Sequence, residues 1–361
     1  VTDEPLGSHV LELELADVIE ETADARSLVF TVPDGPDDPG IPAERLRYAP
    51  GQFLTLRVPS ERTGSVARCY SLCSSPFTGD PMTVTVKRTP DGYASNWLCD
   101  NAHPGMRIHV LAPSGLFVPK TLDTDFLLLA AGSGITPMMA ICKSALAEGS
   151  GKVVLIYGNR DENSVIFAGA LRDLAAKYPD RFTVLHWLEA LQGLPSAAAL
   201  AGLAAPYTGR DAYICGPGPF MAAAEEALKN CGASGDKIHI EVFKSLHTDP
   251  FARVVIDEPG AGDAADSDQG PATAIVTLDG ERHEVRWPRT AKLLDVLLDK
   301  GLDAPFSCRE GHCGACAVLK KSGDVEMEVN DVLEQSDLDE GLILGCQARP
   351  KSDSVEVTYD E

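Results

Sequence analysis

The chain has 361 residues, 44% of them hydrophobic and 24% charged. That is the balance of a folded globular protein, and the length predicts two or three domains. A formal net charge of -23, from 54 Asp+Glu against 31 Lys+Arg, argues against polyanionic partners, nucleic acid and anionic membrane alike. The acid is lopsided: residues 254–361 hold 24 Asp+Glu and only 10 Lys+Arg, which marks the C-terminus as a separate acidic module.

The start, Val1-Thr2-Asp3-Glu4-Pro5, is acidic and has no apolar run of the signal-peptide kind. The most apolar stretch, residues 126–131, is too short to span a bilayer. A cytoplasmic protein is expected, and a monomer is compatible with the sequence. Ten cysteines then need an explanation other than a disulfide framework. Six of them (Cys69, Cys73, Cys99, Cys142, Cys215 and Cys231) are scattered; the other four crowd the C-terminal module.

Residues 1–120 read as β structure. Residues 9–18 alternate apolar and polar side chains, and 28–32, 53–58 and 83–87 are further short β-rich runs. Turn formers such as Pro33-Asp34-Gly35-Pro36 and Ala49-Pro50-Gly51 separate them, so a barrel or sandwich is predicted. Arg68-Cys69-Tyr70-Ser71 follows one of these strands. A guanidinium suits a phosphate, a Tyr ring can lie against an isoalloxazine, and a Ser hydroxyl can bond a flavin N5. Alone, these four residues fit an ordinary strand equally well. Gly92-Tyr93-Ala94-Ser95 precedes a predicted helix start at Asn96, and Gly92 and Ser95 there suit a pyrophosphate. Lys87, closing the run 83–87, is counted with the cofactor-binding residues.

Residues 121–250 alternate strand and helix: strands at 126–131, 152–157, 182–186 and 212–215, helices at 136–148, 168–177 and 220–230. This predicts a doubly wound α/β domain on a parallel sheet. Gly132-Ser133-Gly134-Ile135-Thr136-Pro137 joins a buried strand to a helix. Its glycines admit a pyrophosphate, with Thr136 beside it, and Pro suits a first helical turn. Cys215-Gly216-Pro217 again joins strand to helix; a buried Cys in a Gly/Pro turn is the plainer alternative. Tyr157-Gly158-Asn159-Arg160-Asp161 ends the second strand, where the adenosine ribose belongs. Asp161 or Glu162 would favour NADH and Arg160 would favour NADPH, and the residues leave both open. Phe243 is either a flavin cover or a core aromatic.

Residues 251–273, rich in acid, Gly, Ala and Pro, read as a flexible linker. Residues 274–361 form the third module. There Cys308, Cys313, Cys316 and Cys346 have the spacing C-x4-C-x2-C-x29-C, the plant-type [2Fe-2S] pattern. Gly311 and Gly314 allow the tight loop that three converging thiolates need. A structural zinc site would show paired C-x2-C units, and only one is present. His312 reads as a solvated loop residue.

On the cysteine pattern with Pro305-Phe306-Ser307, the third module resembles the plant-type ferredoxin family, which implies a β-grasp α+β fold. On Arg68–Ser71, Pro50-Gly51-Gln52-Phe53, Gly92–Ser95 and Cys215-Gly216-Pro217, the first two modules resemble the ferredoxin–NADP reductase superfamily. That resemblance implies a six-stranded antiparallel FAD barrel followed by a nicotinamide domain. It places Arg68 on a flavin phosphate, Tyr70 on the ring, Ser71 near N5, Cys215 and Gly216 at the nicotinamide, and FAD over FMN at Gly92–Ser95. Ser71 and Cys215 are the implied catalytic residues. Through Arg68–Pro76 and Asn330–Gln335 the whole chain resembles the reductase components of bacterial 3-ketosteroid 9α-hydroxylases. The implied route runs from NADH to FAD to [2Fe-2S] to a Rieske-type terminal oxygenase in steroid breakdown. Reductases of phenylacetate-type and ring oxygenases share this layout. Val318-Leu319-Lys320-Lys321 departs from the pattern in being highly charged beside a cluster. A zinc-bearing interaction protein and a self-contained flavin oxidase are the rival readings.

Overall fold

The computed structural model describes residues 6–35, 40–256 and 270–360. Among the described residues there are four sheets, one large sheet for each sequence module and a two-stranded one in the third. In the first, Leu11, Leu13 and Leu15 alternate inward from β1 (Leu11–Thr22). The sheet continues with β2 (Ala25–Thr31), β3 (Phe53–Ser60), β4 (Gly64–Ser71), β5 (Thr83–Lys87) and β6 (Arg107–Ser114). All pairings are antiparallel, in the order β4-β3-β6-β1-β2-β5. The two edges meet where Leu72 bridges Val84 and the Cys73 N–H donates to the Thr83 carbonyl, 2.9 Å, so no long edge is left exposed. Helix α1 (Tyr93–Asn101) leads into β6 and packs Ala94 and Leu98 on the barrel core.

Two sequence expectations change here. Arg68-Cys69-Tyr70-Ser71 does not follow a strand; it is the last half of β4. That strand escapes pattern reading because its polar residues do not alternate cleanly with apolar ones. The helix expected from Asn96 begins at Tyr93 with Gly92 as its cap residue, so Ser95 lies inside the first turn.

The second sheet is parallel throughout: β7 (Phe126–Ala131), β8 (Val153–Asn159), β9 (Phe182–Leu188), β10 (Asp211–Cys215) and β11 (Ile238–Glu241), ordered β11-β10-β7-β8-β9. Helices α2 (Ile135–Glu148) and α3 (Ala168–Lys177) pack on one face. After the short α4 (Glu189–Gln192), α5 (Ala197–Ala204) and α6 (Gly218–Asn230) cover the other. Chain order reverses between β7 and β10, the place where open α/β sheets take their ligands.

The third sheet orders β13 (Glu281–Trp287), β12 (Ala272–Leu278), β18 (Ser354–Thr358), β14 (Ala317–Ser322) and β16 (Leu342–Leu344). Here β12 and β18 are parallel and the rest antiparallel, with α7 (Leu293–Asp299) packed on the sheet's core, a β-grasp arrangement. The small pair β15 (Val325–Met327) and β17 (Ala348–Pro350) and helix α8 (Gln335–Glu340) complete it. The charged run after Cys316 does not disturb packing: Val318 is buried, and Lys320 Nζ donates to the Gly323 carbonyl, 2.9 Å. No helix among the described residues is long and apolar enough to cross a membrane.

The ferredoxin-like core does not stand apart. It continues into Ala67 and Leu111 of the barrel and into Leu246 and Phe251. Phe251, the first residue of the expected linker, is 0% exposed. Ala252 bridges Leu6, and the Gly7 N–H donates to the Phe251 carbonyl, 3.1 Å. An aromatic ring with apolar neighbours on two domains is worth more buried than as spacer, so the connection starts as core. Of the rest of the expected linker, residues 257–269 lie outside the described residues, and Ala272 and Thr273 at its far end already belong to β12, where Ala272 is buried in the third module's core. Phe251→Ala should lower unfolding stability by about 3–5 kcal/mol in a urea titration, with protease cutting near the connection; a change within 0.5 kcal/mol, inside the range of ordinary surface substitutions, would contradict this packing.

Candidate functional site

The C-terminal ends of the parallel strands point at the end of β4, and three side chains far apart in sequence meet there. Ser71 Oγ donates to Glu241 Oε2 at 3.3 Å. Cys215 is the register partner of Glu241 across β10 and β11. Burial pushes the Glu241 carboxyl up to about 8, and the Ser71 hydrogen bond only partly offsets it. Burial, with help from the nearby Glu241 charge, also raises the Cys215 thiol well above its usual range. At neutral pH this corner therefore presents a hydroxyl, a protonated carboxyl and a neutral thiol, none of them a strong nucleophile. Tyr70 lies one residue away on β4, half-buried, with its phenol raised by burial. Phe243 is 46% exposed beyond the end of β11, so it is not a core aromatic. Arg68 Nη1 donates to the Ala67 and Leu246 carbonyls at 2.6 and 3.2 Å, which holds the guanidinium at the base of the strand.

The expected phosphate residues fall in two groups. At the first turn of α1, Ser95 Oγ accepts from the Thr89 N–H at 3.0 Å, so the hydroxyl ties the preceding loop to the helix and keeps its own proton to donate. At the turn after β7, Gly134 allows a contact that no other residue would. A Cβ there would sit 2.1 Å from the Cys215 carbonyl oxygen, so Gly134 and Gly216 join the two nucleotide turns across the switch point. Lys87 reaches the same place, with Nζ 3.5 Å from where a Gly132 Cβ would stand. Thr136 is buried and its hydroxyl donates to the Ser133 carbonyl, 3.0 Å. Asp161 caps a short 3-10 turn by accepting from the Ser164 N–H, 2.9 Å. Arg160 is turned toward the barrel, where it meets Asp24 at 2.7 Å.

The chain's own polar atoms suit a flavin and a nucleotide. Ser114 Oγ, on the strand beside Phe53 opposite Ser71, is buried with no protein partner. Both amide atoms of Asn159, at the end of β8, are likewise unpartnered. Buried polar atoms left open at a cleft are groups held for a ligand or water.

The four module-three cysteines come together. Cys308 contacts the Cys313 and Cys346 thiols, and Cys346 contacts Cys316. Backbone N–H groups aim at the sulfurs: Glu310 and His312 at Cys308 Sγ (3.3 and 3.5 Å), Cys308 at Cys313 Sγ (3.5 Å) and Cys346 at Cys316 Sγ (3.4 Å). Donors around sulfur are what thiolate ligands need. Neighbouring thiols and these N–H groups hold Cys308 far below its usual range. Among the described residues no group of three or more His, Cys, Asp or Glu side chains is placed to hold a metal ion; the thiols touch in a chain, 313–308–346–316. Gly311 and Gly314 both have positive φ, and a Cβ on Gly314 would meet Leu116 Cδ1 at 2.5 Å. The cluster loop thus lies against the segment that leaves the barrel. His312 is not a free loop residue: its Nδ1 is 2.9 Å from Asp331, which also pairs with Lys244, one residue after Phe243.

Pattern reading missed Glu241, Gln347, Thr55 and Ser307. Gln347 is buried and donates to Cys346 Sγ and to the Arg309 carbonyl, at 3.4 and 3.2 Å. Ser307 Oγ, one residue before the first ligand, lies 2.7 Å from Thr55 Oγ1 of β3 and 3.6 Å from Cys69 Sγ inside the flavin motif. The only sequence signal for these residues was adjacency to a motif.

Comparison with known proteins supports this partition. The chain matches an oxidoreductase FAD-binding domain family over residues 12–118, an oxidoreductase NAD-binding domain family over 128–226, and a 2Fe-2S iron-sulfur cluster binding domain family over 276–351. It is 80% identical to a 3-ketosteroid-9-alpha-monooxygenase, ferredoxin reductase component, of Mycolicibacterium smegmatis, over 100% of both chains. It is 34% identical to one of the subunits of the 1,2-phenylacetyl-CoA epoxidase of Escherichia coli, over 96% of this chain and 97% of that one. The crystal structure of phthalate dioxygenase reductase, described as modular for electron transfer from pyridine nucleotides to [2Fe-2S], superposes with a TM-score of 0.54 at 23% identity, over 97% and 98% of the two chains. It shares the fold.

Glu241 sets a pH test. Its folded value, about 8, lies above the ordinary 4.5, so the folded chain holds a proton that the unfolded chain has released between those limits. Stability should fall as pH rises through that window. Urea titrations between about pH 6 and 9 should show a loss on the order of a few kcal/mol, flattened in Glu241→Gln; an equal slope in both proteins would contradict the assignment.

Proposed function

The chain belongs to the family of ferredoxin reductase components of 3-ketosteroid-9-alpha-monooxygenase, and from this we propose that it takes electrons from NADH and passes them through FAD and a [2Fe-2S] cluster to an oxygenase component. The observation that carries the reading is the buried hydrogen bond between Thr55 and Ser307. It pins the residue before the first cluster ligand onto the barrel beside Arg68–Ser71, so the two redox sites share one wall.

When bound, FAD accepts electrons in pairs and releases them singly, and the cluster carries one at a time. The chain's residues hold and orient these groups. Tyr70 and Phe243 offer aromatic faces, and Arg68 and Lys87 offer positive charge to phosphate. Gly132, Gly134 and Gly216 let backbone approach a pyrophosphate, and Gly92 and Ser95 do so at α1. With FAD bound, the Ser71 hydroxyl and the protonated Glu241 carboxyl would offer protons to the flavin. Cys215, kept neutral by burial, would stand beside a bound nicotinamide. Cys308, Cys313, Cys316 and Cys346 hold the cluster, with Gln347 and the loop N–H groups on their sulfurs. We assign residues 1–120, 121–250 and 274–361 to the three modules.

The finer points are supported as follows. The 80% identity favours a ketosteroid substrate for the partner over a phenylacetate-type role. A Rieske-type oxygenase is the acceptor that the resemblance to the ketosteroid hydroxylase reductases implies. All ten cysteines are free, consistent with a cytoplasmic setting.

Purified protein should show flavin and iron–sulfur absorbance that NADH bleaches; a colourless protein carrying one zinc would refute the reading. Cys346→Ala should lose iron and slow reduction of the oxygenase by at least roughly tenfold, while NADH still bleaches the flavin. The acidic third module should dock on a basic patch, so the transfer rate should fall as salt rises from about 0.01 to about 0.15 M; a salt-independent rate would rule that patch out.

A further inference from the structure

Arg160 directly follows the second strand of the nucleotide sheet, where a dinucleotide's adenosine ribose sits. A guanidinium there is the natural ligand for the 2′-phosphate that distinguishes NADPH from NADH. It is 62% exposed, yet its charge is already claimed: Nη2 donates to Asp24 Oδ2 at 2.7 Å. Asp24 belongs to another domain, in the turn between β1 and β2. Both partners are held in place. The other carboxylate oxygen of Asp24 accepts from Thr22 Oγ1 at 2.8 Å, and its carbonyl accepts from the Arg88 N–H at 2.8 Å. The Arg160 carbonyl accepts from the Ala190 N–H at 2.8 Å.

The surrounding charge is negative on balance, with Lys87 the one further cation facing these groups. Asp161 caps its turn and cannot swing away without losing the Ser164 contact, and Glu162 follows it on the exposed side. A 2′-phosphate entering here meets three carboxylates against two cations, the already paired Arg160 guanidinium and the half-buried Lys87 ammonium, which Asp24 and Asp161 also face. A plain 2′-hydroxyl meets no such repulsion, and the unpartnered amide of Asn159, 8% exposed at the same strand end, leaves polar capacity beside it.

We propose that Asp24, supplied by the flavin barrel, is a specificity-determining residue for the nicotinamide cofactor: it neutralises Arg160 and repels the 2′-phosphate, and so makes the chain select NADH. This rests on the NADH reading above. Selection here works by a repulsive element placed against the wrong ligand. It also links cofactor choice to the closure of barrel on nucleotide domain, since the ion pair spans the two.

The test is calorimetric titration of the FAD- and cluster-loaded protein with two probes, 5′-AMP and 2′-phospho-AMP. Native protein should bind 5′-AMP more tightly. Asp24→Asn keeps a polar contact to Thr22 and removes the charge; it should tighten 2′-phospho-AMP by about tenfold or more and change 5′-AMP by less than about twofold. The ratio of kcat/KM for NADPH over NADH should rise in parallel. The double variant Asp24→Asn with Arg160→Gln should lose the gain, which shows that the freed guanidinium produced it. Unchanged 2′-phospho-AMP affinity in Asp24→Asn, an equal gain for both probes, or a gain that survives without Arg160 would each overturn the proposal. If Asp24→Asn does not fold, Asp24→Ser is compared in the same way; loss of 5′-AMP binding in every folded variant would make Asp24 structural and also overturn it. A native preference for 2′-phospho-AMP would instead overturn the NADH reading.

Discussion

Electron transfer falls steeply with distance, so a chain with a flavin site and an iron–sulfur site must hold the two close together. Here the holding contact is buried and polar. Thr55 and Ser307 are 0% and 1% exposed and hydrogen-bonded to one another, where leaving either hydroxyl unpaired would cost stability. Around them Glu310 Oε1 accepts from the His247 and Thr248 N–H groups, Thr248 Oγ1 donates to the Cys308 carbonyl, and Arg45 pairs with Asp303. The apolar core runs through the same seam. A cluster loop on a free tether would sample many orientations; this one is set against the flavin strand.

The second constraint is that one carrier must meet two others. The strand ends of the parallel sheet face β4, so the nicotinamide turns reach the flavin strand from one side while the cluster loop reaches it from another. Glu241 is the hinge of that arrangement. It is tied to Ser71 of the barrel and aligned with Cys215 of the sheet, and two and three residues further on come the exposed Phe243 and Lys244 paired to Asp331 of the third module. A segment of four residues thus touches all three units.

Much of this was legible in the sequence. Four of the parallel sheet's five strands and three of its helices appear within a few residues of where periodicity puts them, because buried strands and amphipathic helices write their burial directly into residue order, while β11, α4 and α5 were not read. The cluster ligands are legible because thiolate chemistry tolerates few substitutes and the loop imposes their spacing. The strands β4 and β6 were not legible: one face of each packs on neighbours that are themselves polar or belong to another domain, so alternation breaks down. Phe251 was read as linker for the same reason, since its burying partners lie on a module more than twenty residues further along.

What the sequence by itself determined is the list of parts: three folding units, their order, the cysteine ligands, and the residue types that favour flavin and nucleotide. Those follow from local periodicity and short-range spacing, which a linear chain carries explicitly. What only the tertiary structure decided is which parts meet. Ser71 with Glu241, Ser307 with Thr55, and Arg160 with Asp24 are separated by 170, 252 and 136 positions. No pattern along the chain encodes such pairs, because they arise where independently folded surfaces close on each other. Arg160 shows the consequence. Its residue type pointed to a 2′-phosphate, and only the carboxylate placed against it by a distant turn shows that its charge is already taken.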